Sequence, residues 1–234
     1  MKHLLSAPNT KIQRARKHLA ELEAEAAAFI ASYPGKFNAE VVETSGMRSI
    51  NFNGHILGAP EMLGAIVGDV IHNLRAALDL TACEMVRAVG QDDKDVSFPF
   101  SESAEKLDDM IRRRHFDRAG TDAVALLRSL KPYHNGNAAL RVIHDLDIRD
   151  KHHALIPNVI GVASPIIQLY GDDGTFSPLA IGNPNAPSEV RFIFPNEAGP
   201  EGRQLIPTLH ELVQLVEGIV EAFRALANRD DPGL

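Results

Sequence analysis

The sequence predicts a single α+β domain over residues 1–234, in which a helical bundle packs with a small antiparallel sheet. Apolar residues recur with helical periodicity through several segments, which place a helical core at about 60–155 and a C-terminal helix at about 206–227. Runs of β-branched and aromatic residues at about 40–53 and 158–195 are bounded by turn compositions, which is typical of strands. With 234 residues, 44 % of them hydrophobic, the chain is long enough for one substantial core or at most two small ones.

The first element is a predicted helix that begins at Asn9 and Thr10, which are favourable capping residues, and runs to about Ser32. Residues 41–44 and 48–52 flank a Ser-Gly pair and predict a β-hairpin. Two strands alone are marginal in water, so we expect this hairpin to join the later strands in one sheet.

The central predicted helix runs from about Pro60 to residue 89. Leu74 and Leu78 lie in the middle of its apolar face, and we expect both to be buried. His72, Arg75 and Asp79 form a polar stripe beside that face, at spacing i, i+3, i+7. This stripe has two interpretations: an edge held by an Arg75–Asp79 pair, or a polar group that faces another helix in a partly buried cleft.

Beyond the central helix, short helices are predicted at about 101–114 and 122–130, and a longer one at 137–155. After Pro157, runs at 159–162, 166–170 and 190–194 predict a meander of antiparallel strands.

The 137–155 helix carries a second polar stripe, formed by His144, Asp147 and Lys151 at the same spacing and on the side of its apolar residues. The charges of the two stripes are complementary, with Asp147 expected to meet Arg75 and Lys151 to meet Asp79. We therefore expect the two helices to be neighbours joined by at least one ion pair or hydrogen bond, because an unpaired charge on that face would be costly. Such a network is either structural or marks a functional cleft.

Titratable residues are densest at 149–153, where two histidines follow an Arg-Asp-Lys run. Histidine titrates near neutrality and is the natural acid–base candidate. The candidate catalytic residues are His72, Arg75, Asp79 and His152. The candidate binding residues are Asn73, His144, Asp147, Asp150 and Lys151.

No cofactor and no metal are expected. The dinucleotide, P-loop and nucleophile-elbow motifs GxGxxG, GxxxxGK[ST] and GxSxG are missing, as are HExxH and CxxC. A metal site assembled from His72, Asp79, His144 and Asp147 would be the alternative. The lone Cys83 is expected to be a small buried hydrophobe.

Charge and hydropathy bear on partners and location. The formal net charge of −7 argues mildly against a general nucleic-acid binder. One basic patch, residues 112–115 with Arg118, is either a solvated face or a phosphate-contacting surface. No stretch approaches 18 apolar residues and the start lacks the apolar region of a signal peptide, so we expect a cytoplasmic protein with no membrane partner.

The stretch at 68–79, GDVIHNLRAALD, resembles the pattern GDxxHNLRxALD of a family of uncharacterised bacterial and phage proteins. Proteins of this family share an FP segment, here Phe98-Pro99, a PY pair, here Pro132-Tyr133, and a closing DKH(R/H)xL, here residues 150–155. The resemblance covers about residues 60–156 and implies no biochemical function.

A weaker similarity is to HEPN-type helical domains, which are often RNA-cutting toxins or defence proteins and act as dimers through an R-x4–6-H pair. That spacing occurs at Arg48/His55, Arg128/His134 and Arg203/His210, about as often as this composition gives by chance. None of these pairs lies well inside a predicted helix beside the polar stripes. A HEPN-like site would need a composite such as Arg75 with His152.

Two functional hypotheses follow. The first is a cytoplasmic interaction or regulatory protein, expected to form a homodimer, whose polar His/Arg/Asp cleft is structural or binds a small ligand. The alternative is a metal-independent HEPN-like RNase that uses His72, Arg75 and His152 on RNA. The acidic net charge and the lack of a well-placed R-x4–6-H pair favour the first.

Overall fold

The structure is a computed structural model of the chain. It describes residues 4–32, 37–44, 47–54, 59–151, 157–162, 167–170, 176–179, 189–194 and 203–229.

The described chain is mainly helical. The helices are α1 Ser6–Ala31, α2 Glu61–Ala88, α3 Leu107–Arg113, α4 Thr121–Leu130, α5 Ala138–Asp150 and α6 Leu205–Ala227, with a short 3-10 helix at Phe116–Ala119 between α3 and α4. The predicted helices are all present. The expected start at Asn9 and Thr10 is wrong, because α1 begins at Ser6 with Pro8 inside its first turn. Proline is tolerated there since the first amides of a helix have no intrahelical acceptor.

The long helix α2 lies at the centre and packs against α1, α5 and α6. Leu74 and Leu78 are fully buried, as predicted. Helix α1 runs antiparallel to α2, because the Leu5 N–H donates to the Glu84 carboxylate near the far end of α2.

Helix α5 also runs antiparallel to α2 and brings the second polar stripe to the first. Its start is fixed by Asn137, whose side-chain oxygen accepts a hydrogen bond from the Leu140 N–H at 3.0 Å. The helix ends at Asp150, and the continuation predicted to 155 falls partly on residues 152–156, outside the described chain.

The described strands are β1 Phe37–Thr44, β2 Met47–Gly54, β3 Asn158–Val162, β4 Ile167–Tyr170, β5 Phe176–Leu179 and β6 Glu189–Ile193. They form three antiparallel two-stranded ladders, β1–β2, β3–β6 and β4–β5. The predicted meander is wrong, because β4 pairs with β5 and leaves β3 to pair with β6. The expected single sheet is also not seen among the described strands, because the β1–β2 ladder is separate from the two ladders of the later strands.

The last strand connects the ladders to the helices. Phe192 and Phe194 are buried, and the Phe192 ring lies 6.0 Å from that of Phe29 on α1. Of the predicted fold, the helical domain is established, whereas an antiparallel sheet packed on the helical bundle is not. Among the described residues, no helix has the length and apolarity that a membrane crossing requires.

Candidate functional site

The two polar stripes meet where α2 and α5 pack. Nδ1 of His72 lies 3.1 Å from Oδ1 of Asp147, and Nζ of Lys151 lies 2.8 Å from Oδ2 of the same carboxylate. The Asp147 side chain is only 7 % exposed, whereas those of His72 and Lys151 are more than half exposed. The predicted contact between the stripes is confirmed, and it leaves a buried carboxylate with a partner at each oxygen.

The stripes meet, but the expected pairs of residues between them are wrong. Arg75 does not meet Asp147, and instead its Nη1 lies 2.5 Å from Oδ1 of Asp79 on its own helix. Lys151 correspondingly pairs with Asp147 rather than with Asp79. In both cases the cationic side chain pairs with a carboxylate one turn away on its own helix.

The Arg75–Asp79 pair also binds the Phe98-Pro99 segment. Asp79 Oδ1 accepts a hydrogen bond from the Phe98 N–H at 2.9 Å, and Nη2 of Arg75 lies 3.5 Å from the Phe98 carbonyl oxygen. One ion pair therefore satisfies both backbone groups of a residue whose ring is buried. This contact links the two strongest parts of the sequence pattern, the LRxALD portion and the FP segment.

Phe100 extends this arrangement to α5. Its ring lies 4.8 Å from Cζ of Arg75 and is stacked on the His144 imidazole, with centroids 4.6 Å apart and planes 12° apart. Arginine over an aromatic face is attracted by the ring quadrupole. His144 is thereby held against an aromatic ring beside a fixed positive charge.

His144 is uncharged in this environment. Burial lowers the pKa of His144 to about 3, and the positive charges of Arg75 and Arg141 act in the same direction. Its Nδ1 atom is buried and has no hydrogen-bond partner among the described residues. An imidazole in this state is a poor acid–base catalyst near neutral pH, because it takes up a proton only in strong acid.

The Asp150 side chain lies against Gly68 of α2. Burial raises the pKa of its carboxyl, with further contributions from Asp147 and Asp69. A Cβ placed on Gly68 would come within 2.6 Å of the Asp150 Cγ. A side chain at position 68 would therefore require the Asp150 carboxyl group to move away from α2.

The remaining predicted residues are less connected. Asn73 is buried, and its amide donates to the Asp69 carbonyl oxygen of its own helix at 2.8 Å. His152 lies outside the described residues, so its proposed pairing with Arg75 is untested. In the part of the chain that the structure describes, no three His, Cys, Asp or Glu side chains converge as metal ligands.

A cavity of about 580 Å³ opens beside Arg75 and His144. It lies between α2, the 98–102 segment, α3 and α5, and we call it the arginine cavity. Its main polar and apolar lining comes from Arg75, Arg113, Arg114, Arg141, His144 and Ile148.

Four of these lining residues were not predicted as site residues: Arg113, Arg114, Arg141 and Ile148. The basic patch on α3 was the available signal for two of them. The position of Arg141, one turn before His144 on α5, was the signal for a third.

The arginines of the cavity fall into two classes. Arg75 is held by Asp79, and Arg141 is held by both oxygens of Asp145 and by the Ser101 carbonyl oxygen. Arg113 and Arg114 are exposed and have no ion-pair or side-chain hydrogen-bond partner among the described residues. The cavity thus has fixed cations at its base and unpaired cations at its rim.

Comparisons with models of protein families, with curated proteins and with solved structures give no match for this chain.

Proposed function

We propose that this chain is a cytoplasmic interaction or regulatory protein, without catalytic activity, that holds a small ligand in the arginine cavity. The observation that carries the proposal is the cavity itself. Its volume of about 580 Å³ falls in the range typical of small-molecule sites, and its lining is mainly charged and polar, with apolar surface from Phe98, Phe100, Met110 and Ile148.

The state of the polar groups supports binding over catalysis. Asp147 is engaged by His72 and Lys151, and Arg75 by Asp79 and the Phe98 carbonyl oxygen. A general base near neutral pH requires a pKa close to the working pH. The depressed pKa of His144, about 3, is far from that value.

The HEPN-like RNase stays the alternative prediction. His72 and Arg75 are engaged in separate groups of contacts, with Asp147 and with Asp79 respectively. No observation among the described residues favours this alternative, which depends on His152.

The test is a thermal-shift screen of small anionic, neutral and cationic metabolites on the full chain. A ligand that binds only the folded state raises the melting temperature by mass action. Ile148→Trp places a bulky side chain in the cavity at an exposed position, and Met62→Trp makes the same change on α2 away from it. We expect at least one compound class to stabilise the wild type and Met62→Trp but not Ile148→Trp.

Equal stabilisation of Ile148→Trp, or no stabilisation by any class, would contradict the proposal. Cleavage of a single-stranded RNA by the wild type that is lost in His72→Ala and His152→Ala would instead establish the nuclease alternative.

A further inference from the structure

We infer that the arginine cavity binds a small molecule bearing a phosphate group, with the phosphate at Arg113 and Arg114 and the apolar part of the molecule against Ile148. This inference rests on the proposed function and specifies the chemistry of its ligand. Guanidinium groups match the geometry of a phosphate and bind it through paired N–H donors.

The charge balance of the cavity favours an anion. Five cationic side chains line it, together with Glu102 and Asp109. Glu102 is paired with Lys106, and Asp109 is paired with Arg112 beside the cavity. The two acidic groups are therefore neutralised by partners of their own, whereas Arg113 and Arg114 have no counter-ion within the part of the chain that the structure describes.

The positive charges also converge on one point. Arg75, Arg141 and Arg114 all act electrostatically on the His144 imidazole. Arg75 and Arg141 are largely buried, with side chains only 12 % and 13 % exposed, and are fixed by carboxylates, so their positions are preorganised. A bound anion would have one side on fixed charges and the other on the exposed guanidinium groups of Arg113 and Arg114.

The shape and the apolar lining limit the ligand to a small molecule. Ile148 is 46 % exposed despite being a large hydrophobic residue, and Met110 lines the cavity near it. An apolar group there would cover exposed side-chain surface. The net charge of −7 disfavours an extended polyanion such as RNA, which would meet repulsion outside the cavity.

The experiment uses the full chain and follows the His144 ring signal by NMR at constant ionic strength. The probes are inorganic phosphate, phenyl phosphate, neutral benzyl alcohol and an eight-nucleotide RNA. The test variant is Arg113→Gln/Arg114→Gln, and the matched control is Arg87→Gln/Arg128→Gln. The control removes the same charge from exposed arginines that are paired with Asp93 and Asp108, and neither these arginines nor their partners line the cavity.

We expect phenyl phosphate to shift the His144 signal saturably and to bind more tightly than inorganic phosphate. Hydrogen bonds to charged groups are stronger than those between neutral groups, so losing those at the rim should weaken binding by about tenfold or more. The control variant should bind within about twofold of the wild type, because its arginines lie outside the cavity.

Four results would overturn the inference. Binding of benzyl alcohol without binding of either phosphate would leave the cavity a ligand site but not an anion site. Equally weakened binding of phenyl phosphate in the two variants would show that the effect depends only on net charge. An RNA that shifts the His144 signal at lower concentration than phenyl phosphate would assign the rim to nucleic acid. If no probe and no compound of the thermal-shift screen binds, both the inference and the proposed function fail.

Discussion

Arg75 contacts three other residues, one on its own helix and two in the 98–102 segment. It pairs with Asp79, approaches the Phe98 carbonyl oxygen and lies over the Phe100 ring, with only 12 % of its side chain exposed. The i, i+4 pair with Asp79 could be predicted from the sequence, because residues at this spacing adjoin on any helix. The Phe98 contact could not, since helical periodicity does not tell which distant segment docks on a stripe.

We predict that Arg75→Ala destabilises the fold by about 2–4 kcal/mol, because it leaves the half-buried Asp79 with only the Phe98 N–H. Arg87→Ala should cost less than about 1 kcal/mol, since Arg87 is 52 % exposed and forms a surface pair with Asp93. Urea unfolding of both variants gives the comparison, and equal losses would show that the Phe98 contact contributes nothing.

The depressed pKa of His144 predicts a specific loss of stability in acid. The unfolded chain takes up this proton near pH 6.5, whereas the folded chain does so only near pH 3. As the pH falls through this window, the unfolded state binds more protons and the free energy of unfolding decreases. His144→Gln removes this proton uptake from the folded and the unfolded chain alike. We therefore expect the free energy of unfolding of the variant to fall less than that of the wild type between pH 7 and pH 4.

The exposed His134 provides the control, because His134→Gln removes an imidazole without disturbing the cavity. Chemical denaturation at several pH values measures the effect. Parallel stability curves for wild type and His144→Gln would show that the imidazole is not sheltered from protonation.

At the scale of elements, α2 illustrates what periodicity can and cannot predict. Its length and apolar face follow from a run of apolar residues at helical spacing, which is a strong signal. The partner helix was also predicted, because α5 carries a stripe of matching spacing. The registry of α5 against α2 was not predicted. It places the Asp150 carboxyl group at Gly68, where the absence of a Cβ makes room for it.

Leu78→Ala tests the buried face of α2. The side chain is fully buried, so its truncation should cost about 2–5 kcal/mol through lost transfer energy and the cavity left behind. A loss below about 1 kcal/mol in denaturant melts would mean that α2 does not pack as the structure shows.

The close approach of α2 and α5 predicts strong coupling between Gly68→Ala and Asp150→Ala. Alanine favours the helix by about 1 kcal/mol over glycine, but at position 68 it displaces the Asp150 carboxyl group. We expect Gly68→Ala to be more favourable by at least about 0.5 kcal/mol in the Asp150→Ala background. Additive effects in a double-mutant cycle would rule out the contact.

For the whole molecule, the sequence predicted the helices better than the arrangement of the strands. Residues 158–162 and 189–193 were both expected to be strands, yet their mutual pairing depends on the β4–β5 ladder between them in the chain. Such pairing is set by contacts far apart in sequence, whereas helix formation is set within a few residues. The arginine cavity was missed for the same reason, because its lining comes from α2, α3, α5 and the 98–102 segment.

Formation of a homodimer also concerns the whole molecule, and it stays a prediction. It derives from the hypothesis of an interaction protein and from the HEPN-type similarity, in which two copies act together. Sedimentation equilibrium should give twice the chain mass of 25.5 kDa at micromolar concentration. A single-chain mass at every concentration would contradict it.

The stacking of His144 on Phe100 has a practical consequence. Protons held above an aromatic ring lie in the shielding region of its ring current, so the His144 resonances should be displaced upfield from those of the other nine histidines. The chain thus carries a built-in spectroscopic probe at the wall of the arginine cavity, readable without a label. A ligand that disturbed the stack would return these resonances towards their ordinary position.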